Sequence, residues 1–162
     1  MKIEGATAKD IRTVAIRMRD RDFAEFSAVT KADTRPELAA LLVSRYAGRS
    51  EILCGSKGGD PICIGGTLET RPNVMTLLFF ATDRFPEIAI PITRFTRQLF
   101  DRFERIGIHR IEAVSLDDYT QMHRWLRTLG LRQETGPMQG YGKGGEAFIQ
   151  FARVRDVRSS GA

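Results

Sequence analysis

Val74-Met-Thr-Leu-Leu-Phe-Phe-Ala81 is an apolar run of strand length, and its reading decides the fold. A run with so little polar alternation belongs at the centre of a sheet, covered on both faces. Downstream, Ile92, Phe95, Leu99, Phe100, Phe103 and Ile106 recur at helical spacing. Arg94, Arg97, Asp101, Arg102, Glu104 and Arg105 lie between them, and Gly107 supplies a stop. His109-Arg-Ile-Glu-Ala-Val-Ser-Leu116 then alternates and reads as the next strand.

Upstream, Glu51 to Lys57 and Pro61 to Thr70 flank Gly58-Gly59, a pair free to take the positive φ values of a tight hairpin. If those two glycines form the turn, Cys54 lies opposite Cys63, and two small, buried, reduced side chains are expected there. Arg71-Pro-Asn73 turns the chain back into the central run.

The opening third reads as helical after a short strand at Lys2 to Glu4. Thr7 and Asp10 have capping-box spacing, so a helix starts near Ala8 and buries Ile11, Val14, Ala15 and Met18. A second amphipathic stretch carries Phe23, Phe26 and Val29. Thr34, Pro36 and Glu37 mark the next helix start, with Leu38, Leu41, Leu42 and Tyr46 as its inner stripe. At the far end, Asp118 to Gln121 has capping-box form before Met122, Trp125, Leu126 and Leu129, and Asp117 and Asp118 read as caps. Gly130 ends that helix. Strands at Leu131 to Glu134 and Ala147 to Val154 are joined by the glycine-rich Gly140 to Gly145. The predicted order is strand, helices, three strands, helix, strand, helix, two strands.

With 162 residues, 42% hydrophobic and 28% charged, the chain suits one folded domain over residues 1–154, with a tail at 155–162. No apolar stretch approaches the roughly 20 residues of a membrane span, and the first residues carry no secretion core, so a cytoplasmic location is expected. The net charge of +5 comes mostly from arginines spread along the chain, which makes nucleic-acid binding through the Ile92 to Ile106 helix a weaker reading. His109 and His123 have no companions at metal spacing, and no metal is expected. No phosphate loop of the Gly-Lys-Ser or Gly-Lys-Thr type and no Gly-x-Ser-x-Gly elbow occurs.

The element order, together with His109-Arg-Ile-Glu-Ala and Trp125-Leu-Arg-Thr-Leu-Gly130, resembles the GNAT superfamily of acyl-CoA-dependent N-acyltransferases. Leu131 stands where most members have Phe. More narrowly, Met18-Arg-Asp-Arg-Asp-Phe-Ala-Glu25, His123 to Gly130 and Gly145-Glu-Ala-Phe-Ile-Gln-Phe-Ala152 are similar to a GNAT-like bacteriophage family that includes internal virion proteins. The resemblance implies an α/β, GNAT-like fold, a single mixed sheet of about six to seven strands flanked by helices. In it, two neighbouring parallel strands splay apart. It implies acetyl-CoA or another acyl-CoA in that gap and an amine as acceptor. Phage virion or host proteins are the partners of the alternative, a non-catalytic interaction module.

Such an enzyme needs a pyrophosphate site, a strand edge for the pantetheine arm and proton handling. The glycine-rich turn of the superfamily is missing from Thr82 to Pro91, which has two prolines and no glycine. The remaining cofactor-binding candidates are Phe80, Ala81, Thr82, Arg84 and Arg94, with Arg97 able to add charge, and Pro91 fits a first helical turn. The positions where the superfamily carries Asn and its proton-donating Tyr hold Tyr119 and Leu126. Leucine cannot donate a proton, so Tyr119 is the candidate acid. Glu69 and Glu112 are the candidate bases because they lie on strands beside the expected split.

Overall fold

The computed structural model describes residues 1–158. The elements follow the predicted order: β1 Lys2–Gly5, α1 Ala8–Arg17, α2 Asp20–Ala28, α3 Arg35–Tyr46, β2 Ile52–Lys57, β3 Asp60–Arg71, β4 Val74–Ala81, α4 Ala89–Arg105, β5 Arg110–Leu116, α5 Thr120–Thr128, β6 Arg132–Gln133 and β7 Phe148–Val154. They build one mixed sheet of seven strands in the order β1-β2-β3-β4-β5-β7-β6.

Local chemistry sets most boundaries. Thr7 Oγ1 accepts from the Asp10 amide at 3.1 Å while Asp10 accepts from the Thr7 amide at 3.0 Å, closing the box that opens α1. Thr34 caps α3 in the same way, accepting from the Glu37 amide at 3.3 Å. Gly58 and Gly59 take φ of +58° and +78° in the β2–β3 turn, and Asn73 at φ 64° turns β3 into β4.

Helices α1 and α3 cover one face of the sheet, burying Ile11, Val14, Leu38 and Leu42 against Ile52, Cys54, Ile64, Leu78 and Phe80. Ile92 of α4 packs with Ile62, Cys63, Ala81, Phe85 and Ile88 in a second core. A third core joins α5 to β5 and β7 through Met122, Leu126, Ile111, Ala113, Phe148 and Phe151.

Three expectations are corrected. Cys54 does not oppose Cys63: it pairs with Ile64, and Cys63 pairs with Gly55, because a register shift at Gly55/Ser56 displaces the hairpin by one residue. A one-residue slip reverses the face, so the two free cysteines belong to different cores. Asp118 does not cap α5. Tyr119 occupies the cap position without a side-chain bond, and Asp118 is instead drawn into an ion pair with Arg21 of α2. β6 is only Arg132–Gln133, since the Leu131 amide still donates to Leu126 O at 3.1 Å in the close of α5. The last strand ends at Val154, and the next residue, Arg155, donates from its amide to His109 O and from its guanidinium to Glu104 O, both at 2.8 Å. The rest of the expected tail, 159–162, lies outside the described residues. No helix among the described residues is long and apolar enough to cross a membrane.

Candidate functional site

The sheet opens at its centre. Strand β4 follows β3 as far as Ala81↔Cys63, and β5 follows β7 as far as Leu116↔Phe148. The parallel pairing between β4 and β5 is confined to Val74↔Arg110, Met75↔Ile111 and Thr76↔Glu112. Beyond Thr76 the two strands part, leaving a notch between Leu77–Ala81 and Ala113–Leu116.

The notch exposes one edge of β4. Main-chain groups alternate sides along a strand. The Thr82 amide donates to Ile62 O on β3, whereas Ala81 O points the other way and accepts from the Arg19 amide, each at 2.8 Å. Leu77 and Phe79 share the alternation of Ala81, so their amides and carbonyls face the notch, where β5 no longer pairs with them.

Helix α2 fills the wide end with charge. Asp22 is 1% exposed, and its carboxylate accepts from Tyr119 Oη at 2.7 Å, the Ala81 amide at 2.9 Å and Arg19 at 3.1 and 3.2 Å. Burial pushes this carboxyl upward against the pull of Arg19, Tyr119 and Ala81. One turn on, Glu25 accepts from Ser115 Oγ of β5 at 3.4 Å. Its acid is pushed up to about 8, first by burial and then by the Asp22 charge. Asp22, Glu25 and Phe26 line a cavity of about 70 Å³ with Leu77 and Phe79 of β4, Ala113 and Val114 of β5 and residues of α5.

An aromatic cluster borders that cavity. The Phe79 ring centroid lies 4.3 Å from Trp125 and 5.1 Å from Phe85, with the Arg19 guanidinium 5.4 Å above Phe85. Trp125 Nε1 donates to Thr93 Oγ1 at 2.9 Å and so ties α5 to α4. Outside this tie an open groove of about 510 Å³ runs along the start of α4, lined by Ala89, Ile90, Thr93, Arg94 and Arg97.

The expected site residues are scattered by this geometry. Glu69 is exposed on β3 opposite Met75, at the closed end of the notch. Glu112 stands at the last paired step and is held by Arg110 Nε at 2.6 Å and Arg71 at 3.5 Å. Tyr119 is buried at the wide end with its proton directed at Asp22; burial, then the Asp22 charge, pushes the phenol upward. Phe80 is fully buried, its ring edge-on to Phe26 at 5.4 Å and its main chain turned to β3. Ala81 has both main-chain groups taken by Arg19 and Asp22. Thr82 is buried and its hydroxyl accepts from the Arg84 amide. Arg84 is engaged by Asp60 at 2.5 Å and Glu87 at 2.8 Å. Arg94 lines the open groove, and Pro91 is the third residue of α4.

Sequence reasoning missed Arg19, Asp22 and Glu25, although all three lie in the quoted stretch Met18 to Glu25. The usable signal was their spacing. Two acids at i and i+3 alongside Phe26 put charge on a face that also carries apolar anchors.

No family model matches the chain, and no curated protein matches it. Solved structures do. A ribosomal-protein-alanine N-acetyltransferase from Brucella melitensis superposes with a TM-score of 0.66 at 16% identity, covering 96% of this chain and all of that one (100%). A GNAT-family acetyltransferase from Bacillus anthracis gives 0.67 at 14% identity, covering 94% and 93%. A GNAT phosphinothricin acetyltransferase from Sinorhizobium meliloti, solved in complex with acetyl-CoA, gives 0.69 at 16% identity, covering 94% and 87%. With one mixed seven-stranded sheet parted between its two parallel central strands, the chain has the fold of the GNAT acetyltransferases.

Proposed function

We propose that this protein is an acyl-CoA-dependent N-acyltransferase in which Glu25 takes the proton from the acceptor amine. One observation carries the reading: the gap between β4 and β5 holds a carboxyl whose acid is pushed up to about 8, beside a β4 edge left without a strand partner. A base near the working pH is what amine deprotonation needs.

The residues present fit an acyl-CoA in part. The Leu77 and Phe79 edge would hold the pantetheine arm, and Arg94, Arg97 and the opening turn of α4 would take the phosphates in place of a glycine loop. No acidic residue stands in that turn to oppose them. When bound, acyl-CoA supplies an activated thioester. Glu25 would remove a proton from the amine, and Asp22 fixes Tyr119 and Arg19. Tyr119 stays a candidate acid for the thiolate, its proton shared with Asp22. The acceptor is a small or peptidyl amine in a bacterial cytoplasm.

A second reading has its own support. The chain's Arg19 and Asp22 occupy the Ala81 edge, and the rings of Phe79, Phe85 and Trp125 crowd the space between α4 and α5. Both features suit a fold kept as a binding module, and the phage-type reading, with virion or host partners, rests on the quoted motifs alone.

Calorimetry with acetyl-CoA and longer acyl-CoAs, combined with thiol release in the presence of amines, separates the two. Heat, thermal stabilisation and amine-dependent CoA release are expected. No heat and no shift in Tm at millimolar cofactor would remove the enzyme and leave the module.

A further inference from the structure

Resting on the acyltransferase reading, we propose that the donor is a short- to medium-chain acyl-CoA rather than acetyl-CoA, its chain lying in a second cavity beneath α4. This cavity is apolar, has a volume of about 50 Å³, and is lined by Leu53 of β2, Gly65 and Thr67 of β3, and Phe95 and Leu99 of α4. Glu51 on its rim is held by Arg49 Nε at 2.6 Å.

Continuity with the notch identifies the occupant. Leu77, Phe79 and Trp125 line both this cavity and the one containing Glu25, so an acyl group whose carbonyl sits at the β4 edge has its tail directed along the same three side chains. A ligand entering from the notch must be apolar past its carbonyl, because nothing beyond Phe79 except the Thr67 and Thr96 hydroxyls and the rim Glu51 offers a polar side chain.

Gly65 supplies an independent observation. Three glycines line the cavity, and two of them are dictated by crowding. A Cβ on Gly55 would stand 2.8 Å from Cys63 Sγ, and one on Gly66 would stand 2.7 Å from Ile52 Cδ1. Gly65 is not crowded: the nearest atoms to its Cβ position are Phe79 Cδ2 at 3.5 Å and Leu78 O at 3.7 Å. Its φ is not positive either, so the backbone accepts any residue there. Gly65 opposes Phe79 in register and so shares its face. The absence of a side chain at Gly65 keeps the cavity open.

Size limits the ligand. At roughly 10–15 Å³ of such volume for each water-sized unit, the cavity holds about three to five methylenes beyond the acyl carbonyl and its neighbour. That points to hexanoyl and excludes dodecanoyl.

The test measures binding and transfer with acetyl-, hexanoyl- and dodecanoyl-CoA for the wild type and Gly65→Leu. Each buried methylene is worth about fourfold, so hexanoyl-CoA is expected to bind at least tenfold tighter than acetyl-CoA, with dodecanoyl-CoA no tighter than hexanoyl-CoA. In Gly65→Leu the hexanoyl-to-acetyl ratio falls at least tenfold. If that variant does not fold, Gly65→Ala is expected to lower the ratio about threefold. Equal affinity for acetyl and hexanoyl donors, an unchanged ratio in a folded variant, or tighter binding of dodecanoyl overturns the proposal. Acetyl-CoA bound and used without a hexanoyl preference overturns it alone. Binding of no acyl-CoA removes the acyltransferase reading as well.

Discussion

Glu25 shows what a single residue gains from tertiary context. In the sequence it is one acid among many in a charged stretch, and strand position favoured Glu69 and Glu112 instead. Folding reverses that ranking: Glu69 reaches solvent and Glu112 is tied to two arginines, while Glu25 is carried on α2 into the gap beside Asp22. The spacing along the chain places Glu25 on a helix face that also carries apolar anchors, but does not give its depth, which depends on β4 and β5 parting several dozen residues downstream. Its consequence is a pH signature. The folded acid lies near 8 against an ordinary 4.5, so the contribution of protonated Glu25 to stability is complete below about pH 4.5 and is lost as pH rises through 8. Over that window the wild type loses stability relative to Glu25→Gln, and by pH 9 the variant is expected to be the more stable in urea unfolding. Catalysis runs the opposite way. With an acceptor amine of pKa well below 7, kcat/KM rises to a plateau above pH 8, and Glu25→Gln is about 10²- to 10⁴-fold slower with no inflection. An inflection that survives in the variant assigns the proton elsewhere.

At the scale of elements, most of the chain was legible because periodicity and caps are local properties. The apolar run Val74–Ala81, the helical stripe from Ile92 to Ile106, and the Thr7 and Thr34 caps each needed only neighbours within a few residues. The failures share a cause: they depended on register or on a distant partner. A shift at Gly55 moved Cys54 to the other face, and Arg21 on α2 drew Asp118 away from the helix it was expected to cap. The cysteine geometry can be tested directly. Both thiols are buried and pushed up to about 12, which leaves about one part in ten thousand as thiolate at pH 8. An aromatic disulfide reagent is therefore expected to leave the native protein untouched over hours and to titrate both thiols within seconds in guanidinium. Since the two lie on opposite faces, oxidation of the folded protein should produce no intramolecular disulfide. A crosslinked species on mass spectrometry of the native protein would contradict the register.

For the whole molecule, the telling feature is how little joins its two halves at the sheet centre. The β1–β4 half has its core under α1 and α3, the β5–β7 half has its core around α5, and between them β4 and β5 share only the steps from Val74 to Thr76. What bridges the wide end is side-chain chemistry: Asp22 to Tyr119, Glu25 to Ser115, and Trp125 to Thr93. The sequence announced the strands but not this division of labour, because parting is a relation between two strands rather than a property of either. Amide exchange should report it. The Leu77 and Phe79 amides face the notch, whereas those of Leu78 and Phe80 are directed to β3 in the antiparallel register. Adjacent residues of one strand are thus expected to alternate, with Leu77 and Phe79 exchanging at least tenfold faster than Leu78 and Phe80 in the free protein. A donor lying along the β4 edge would slow the fast pair while leaving the slow pair unchanged. Uniform protection along Leu77 to Phe80 in the free protein would mean that the strands are closed in solution, and the notch would then offer no edge to a ligand.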